Sequence, residues 1–546
     1  MIENKAEDIE MGGERLEASQ SRTTIVGIPV SERGDRHQHG IASPAAFSEL
    51  AATPTSLSTR SARRVITAFP TSPHNPLNWP KGRKISMAAI LGMTGFISTA
   101  GSSVGIPGLH QVMQEFGVKD EKIGVLIASA YILGLGTGPF MFAPISELYG
   151  RQPAYFSSQT LYVLFFLGTG FSQNMATLIV LRFFCGVFGS VTPSLGVATC
   201  ADMFRPQERG TAISLYALGP MAGPVLGNMI GTWFLFFGWR WPYYVMTIAS
   251  AINTVIMFLI MRETYAPAIQ KILTFHATHP TSTSTANQSI FRRFLPDLTW
   301  MAHMVSRDEM KTVYGRAFSR PPRLLFTNPI AFGFSVYYAY TYAMIYIFLV
   351  ALPLLYGRPP WSQPDLFSYH WPQATMPLSY IPLGVGFVTA ATIAANSQDR
   401  IYKYLSARSG DKGQPEYRLV LTQIGMCTMP IGLLIFGWTA NAHTHWIVPF
   451  IGEVIVALGL MLAFNTLQNF FVDAFSPYSA AAVAGATACR SIIACILPLF
   501  ATDMFVRLGW GWGGTLLALV GVVGIPGPLI MFACGKRLRE RFAFEG

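Results

Sequence analysis

Twelve apolar runs, most of them 20 residues or longer, recur along this chain, more than one water-soluble fold can bury. They lie at 85–109, 123–145, 153–173, 176–200, 211–236 and 241–261, then at 326–356, 374–395, 419–438, 446–470, 480–502 and 512–535. A helix of about 20 apolar residues crosses the hydrocarbon core of a bilayer. Charged residues make up 12% of the chain, against about a quarter in soluble domains, so much of the surface faces lipid. The pattern predicts an all-α membrane protein of twelve transmembrane helices in two groups of six. Residues 85–261 form the first bundle and 326–535 the second. A polar linker, 262–325, joins them, and the run at 326–356 is long for one span.

Residues 1–84 are rich in Ser, Thr, Arg and Glu and lack apolar periodicity, so they read as a disordered tail. MIENKAEDIEMGG has no apolar core after a basic start and is no signal peptide. A short tail, 536–546, closes the chain. With both ends in the cytosol, most of the 39 lysines and arginines fall on the cytosolic side, including Arg151, Arg205, Arg209, Arg400, Lys403 and Arg418. The net charge of +11 is therefore a topology signal, and no aromatic-basic motif points to a nucleic-acid partner. The six cysteines lie in predicted spans without CxxC spacing, and the pairs His37/His39 and His443/His445 lack acidic or thiol partners. No metal or cofactor is expected. No GxxxxGK[ST] loop and no spaced nucleophile and base appear, which argues against an enzyme or a primary pump.

The two groups repeat one another. ADMFRP at 201–206 matches VDAFSP at 472–477, and FGWRW at 237–241 matches LGWGW at 508–512, both displaced by 271 positions. Parallel repeats of six spans suit alternating access around a central site.

Further residues carry a family resemblance. APISELYGRQ (143–152) after span 2 resembles the signature loop of the major facilitator superfamily, with Glu147, Gly150 and Arg151 matching and Ala143, Leu148 and Gln152 departing. LRFFCG (181–186) resembles its span-4 signature. ALGPMAGPVLG (217–227) resembles the span-5 signature of proton-driven exporters, carried by Gly219, Pro220, Gly223, Pro224 and Gly227. NPLNWPKGRK, DMFRPQERGTA, GWRW with RETYAP, PEYRL, HTHWIVP and CRS–LPLF together resemble the fungal drug:H+ antiporter family with twelve spans. The resemblance runs from about residue 75 to the end and implies two pseudo-symmetric six-helix bundles, the major facilitator fold.

An ionisable side chain inside a span is costly and asks for a function. Three lie well inside: Arg182 in span 4, Glu453 in span 10 and Arg490 in span 11. Arg182 and Glu453 occupy equivalent places in the two halves. In this superfamily spans 1, 4, 7 and 10 line the cavity, so the two are expected to pair across it when the outer side closes. Glu453 is then a candidate proton carrier, and a static ion pair or a seat in the outer interface are the alternatives. Arg490 is open to an anionic group, a helix C-terminus or Glu453. Tyr337, Tyr338, Tyr342 and Tyr346 in span 7, with Asn465 and Gln468 in span 10, suit a cavity for amphipathic aromatic substrates, although tyrosines also serve packing. Glu147, Gly150, Arg151, Asp202, Glu208, Arg209, Asp399 and Arg400 read as a cytosolic gate.

Glycines 219, 223, 227 and 231 form one stripe on span 5. In this superfamily span 5 lies against span 8, so the stripe is expected at the seam between halves. The resemblance implies a proton-coupled antiporter that exports small amphipathic drugs, toxins or secondary metabolites; an importer or facilitator of a nutrient on the same scaffold is the alternative. The expected partners are a small-molecule substrate, protons and the lipid bilayer, with the chain a monomer driven by the proton gradient. The expected location is the plasma membrane, with a vacuolar or vesicle membrane as the alternative.

Overall fold

The computed structural model describes residues 67–205, 209–278, 307–357, 366–409, 414–475 and 478–542. The chain divides into 1–53 and 54–546, and every described residue belongs to the second unit. Among the described residues, nine helical stretches are long and apolar enough to cross a membrane. One of these, Ala481–Arg541, has 61 residues, far more than the roughly 20 that one crossing needs. It turns at Gly509, whose φ of +72° no helix accommodates, and so makes two passes. Arg151–Gly170 and Arg209–Phe234 are also of spanning length, which brings the passes to twelve.

In order, span 1 is Lys81–Ser103, span 2 Glu121–Leu148, span 3 Arg151–Gly170, span 4 Met175–Met203, span 5 Arg209–Phe234 and span 6 Trp241–Ile260. Span 7 is Pro329–Tyr356, span 8 Ile381–Ser409, span 9 Leu419–Asn441 and span 10 Ile447–Ala474. Span 11 starts with Ser479–Ile496 and runs to Gly509; span 12 follows and ends with Pro526–Arg541. The long run at 326–356 is a single span. Its length reflects burial: almost every residue of span 7 is covered, so it has no polar face to interrupt the pattern.

Each half has its own apolar core. Span 1 packs on span 5 and span 2 on span 4; span 7 packs on span 11, and span 10 on spans 8 and 9. The repeat is visible in the backbone. Gly238 and Gly509, 271 positions apart, both take positive φ (+109° and +72°). Each precedes a buried tryptophan whose indole N–H donates into the loop after the first span of its half: Trp239 to the Glu115 carboxylate at 2.6 Å, and Trp510 to the Phe367 carbonyl at 2.9 Å.

Two expectations need correcting. Residues 67–84 are ordered: Phe69, Asn75 and Trp79 are buried, and Lys84 Nζ donates to the Leu77 carbonyl at 2.9 Å. Apolar periodicity misses this segment because its order comes from 3-10 turns, Phe69–Thr71 and Pro76–Asn78. The linker carries two helices, Ala266–Thr278 and Arg307–Thr327, and the tail assigned to 536–546 begins inside the last helix.

The second concerns the glycine stripe, which faces span 1. A Cβ on Gly219 would lie 1.8 Å from the Gly92 carbonyl oxygen, and one on Gly227 would lie 2.4 Å from that of Ala100. The stripe is therefore an internal joint of the first half. The seam with span 8 uses another face of span 5, where Val225 meets Gly384.

Candidate functional site

We call inner the face that charge bias assigns to the cytosol. There the chain leaves span 2 through Gly150, with φ at +97°, and enters span 3 at Arg151. Such a backbone is open to glycine almost alone. A Cβ at this position would also lie 2.3 Å from a carboxylate oxygen of Glu263. Glu263, just beyond span 6, accepts from the backbone N–H of Arg151 (2.9 Å) and of Gln152 (3.0 Å), and from that of Tyr265 (2.7 Å). It caps the N-terminus of span 3, where free amides and the helix dipole favour an anion. Burial pushes the Glu263 carboxyl up, and the backbone amides of Tyr265, Arg151 and Gln152 pull it back only in part.

The Arg151 side chain reaches the other way, to Asp202 at the end of span 4 (3.1 Å) and to the Ser146 hydroxyl (2.8 Å). The second half repeats the plan. Arg418, at the start of span 9, pairs with Asp473 at the end of span 10 at 2.7 Å; Asp473 is the equivalent of Asp202. Glu416, buried beside Arg418, takes a bidentate grip from Arg539 (2.7 and 3.2 Å) in the last helix. Each half thus ties its third, fourth and sixth spans together at the inner face. Both pairs lie within one half, Arg151–Asp202 in the first and Arg418–Asp473 in the second. Glu147 and Arg400 are exposed; Glu208 lies outside the described residues, as do the side chains of Arg209 and Asp399. Sequence reasoning missed Glu263, Glu416 and Arg539, although RETYAP and PEYRL contain the first two.

The halves meet further out. Gly136 of span 2 presses on Ser491 of span 11, and Lys122 pairs with Asp503 at 2.9 Å near the outer ends of the same helices. Span 5 packs on Met376–Tyr380, ahead of span 8. At the outer end of span 1 the Ser102 hydroxyl bonds the Tyr346 hydroxyl of span 7 at 3.0 Å.

The intramembrane charges surround this junction. Arg182 is wholly buried and donates to the carbonyls of Gly101 (2.6 Å), Ser102 (2.8 Å) and Ile127 (3.3 Å), with the Tyr131 ring 4.6 Å from its guanidinium. The expected pair with Glu453 is absent: equivalent positions share depth but not direction, and span 1 carbonyls satisfy Arg182 first. Glu453 is also fully buried, with neither oxygen hydrogen-bonded. The Tyr356 hydroxyl lies beside it without closing a well-formed bond, and the Tyr380 hydroxyl is another buried group without a partner.

Arg490 lies among aromatic rings. Its guanidinium is 4.3 Å from the centroid of Tyr342 and 5.6 Å from that of Tyr338, and Nη1 donates to the Tyr338 hydroxyl at 3.3 Å. Tyr342 shares a hydrogen bond with Tyr346 at 3.3 Å. Three of the four tyrosines therefore gather here. Tyr337 does not: its ring packs on Gly524 of span 12 and on Tyr340, inside the second bundle. Its place in a substrate cavity is corrected to helix packing. Asn465 and Gln468 are half-buried on span 10, next to and one turn beyond Phe464, a ring of the same cluster.

Two six-helix bundles, related by an internal repeat and meeting around buried charges, define a membrane transporter. The chain belongs to the Major Facilitator Superfamily, whose family model matches residues 91–498. It is 33% identical over 477 residues to the MFS-type transporter penM of Penicillium rubens, covering 87% of this chain and 89% of that one. It is 33% identical over 478 residues to the efflux pump radE of Floropilus chiversii, covering 87% and 85%. Among solved structures it resembles the xylose transporter XylE from E. coli in a partially occluded inward open conformation. The TM-score is 0.56 at 14% identity over 83% of this chain and 97% of that one, a likeness of fold. The protein is a multi-pass secondary transporter.

Proposed function

We propose that the protein exports small amphipathic molecules by proton antiport, and that Glu453 carries the proton. The observation that supports this most is the isolation of that carboxyl. An unpaired charge away from water costs several kcal/mol, so a fully buried carboxyl without hydrogen bonds sits there neutral. Glu453 and the neighbouring Tyr356 and Tyr380 are all buried here, out of reach of water. In the outward-open form the carboxyl meets outside water and exchanges its proton. The span-5 signature and the kinship with a protein named as an efflux pump favour export. Both termini are read as cytosolic, in a plasma-membrane protein acting as a monomer.

The test is transport in proteoliposomes under an imposed pH gradient, with fluorescent amphipathic probes. The wild type should accumulate probe against the proton flow. Glu453→Gln should lose gradient-driven accumulation at least tenfold while retaining probe-for-probe exchange. Unchanged pH-driven flux in Glu453→Gln would sink the proposal.

A further inference from the structure

Arg182 and Arg490 are both buried within the membrane-spanning helices, and the protein treats them differently. Arg182 has three carbonyl acceptors at 2.6–3.3 Å and is satisfied without help. Arg490 is nine-tenths covered, yet its Nε is buried with no partner and its Nη1 has only a long bond to a phenol. No carboxylate pairs with it among the described residues. Rings surround it: Tyr338 stacks on Phe464 at 4.6 Å and 15°, and Phe464 on Tyr342 at 5.8 Å and 24°, which makes a slab of three nearly parallel rings. Cation–π contact offsets part of the cost of a buried guanidinium, but it gives Nε no acceptor and leaves Nη1 with its one long bond.

From this geometry we infer that Arg490 is the recognition point for an anionic substrate, an aromatic carboxylate. The inference rests on the transporter reading above and names the substrate class. A carboxylate matches the guanidinium fork in both charge and shape. Its flat ring system would extend along the Tyr338–Phe464–Tyr342 slab. A neutral amide could accept a single bond but brings neither the charge nor the second oxygen, and a cation would be repelled. The position also explains how occupancy is felt by the rest of the protein. The Tyr342 ring lies under the guanidinium, and its hydroxyl leads through Tyr346 to Ser102, a hydrogen bond between the halves. A ligand on Arg490 sits one ring away from that bond.

The experiment measures equilibrium binding to the purified full-length protein in lipid nanodiscs, without any gradient. The probes are 1-naphthoate and its neutral isostere 1-naphthamide. The wild type should bind the acid at least tenfold more tightly than the amide. Arg490→Gln should bring the two to parity, and Arg490→Lys should retain part of the preference. Equal binding of acid and amide by the wild type overturns the inference, as does no binding of the acid, or a preference that survives Arg490→Gln. The wild-type comparison decides even if a variant fails to fold. Loss of pH-driven flux with the acid preference intact would overturn the antiport reading and leave this one standing.

Discussion

At the scale of single residues, the inner-face network shows how little freedom a signature residue has. Gly150 is constrained twice, by a φ of +97° and by the Glu263 carboxylate where a Cβ would go. The backbone penalty alone is about 1–3 kcal/mol, and displacing Glu263 would also free two amides at the start of span 3. Gly150→Ala should therefore lower the unfolding temperature of the solubilised protein by several degrees. Gly333→Ala, a helical glycine with open space beside it, should leave it unchanged or raise it. Equal behaviour of the two variants would refute the argument. Gly150, Arg151 and Asp202 were legible from motif and repeat. Glu263 was not, because its reach to span 3 depends on the ends of spans 3 and 6 meeting, and no spacing along the chain encodes that.

At the scale of elements, the stripe in span 5 marks the limit of pattern reading. Glycines four apart announce a close helix contact, but they do not name the neighbour. That neighbour is span 1, where a Cβ on Gly223 would lie 1.9 Å from Thr99 Oγ1 and 2.8 Å from the Ala100 amide nitrogen. Overpacking of this kind costs about 1–3 kcal/mol. Gly223→Ala should lower stability by that order, and Thr99→Ala added to it should restore part of the loss. The measurement is a double-mutant cycle on thermal unfolding. Strict additivity would show that the two positions do not touch. The asymmetry of the halves stands on the same contact: 271 positions beyond Gly219, which lies on span 1, comes Arg490, which faces the rings of span 7. Where the first half closes helix on helix, the second leaves room for rings and a guanidinium.

At the scale of the whole molecule, twelve passes and their pairing into halves were readable because apolar length and the 271-residue displacement are both properties of the chain. Which surfaces of the halves touch was not, and the failed pairing of Arg182 with Glu453 is the clearest case. Alternating access then depends on what holds the halves together from mid-depth outwards. The Lys122–Asp503 pair is half-exposed, so it contributes at most about 1 kcal/mol. The contact of Gly136 with Ser491 leaves no such slack, since a Cβ there would lie 2.2 Å from the serine Cβ. Packing therefore outweighs charge at this junction. Gly136→Val should wedge spans 2 and 11 apart and bias the protein towards an outward-open form, whereas Lys122→Gln should change the balance little. A cysteine at position 102, placed by Ser102→Cys in a background without the six native cysteines, reports the difference. Ser102 is wholly buried, so a membrane-impermeant thiol reagent added outside should reach that cysteine at least tenfold faster once Gly136→Val is present. If Lys122→Gln speeds labelling as much as Gly136→Val does, the ion pair is the lock and the packing argument fails.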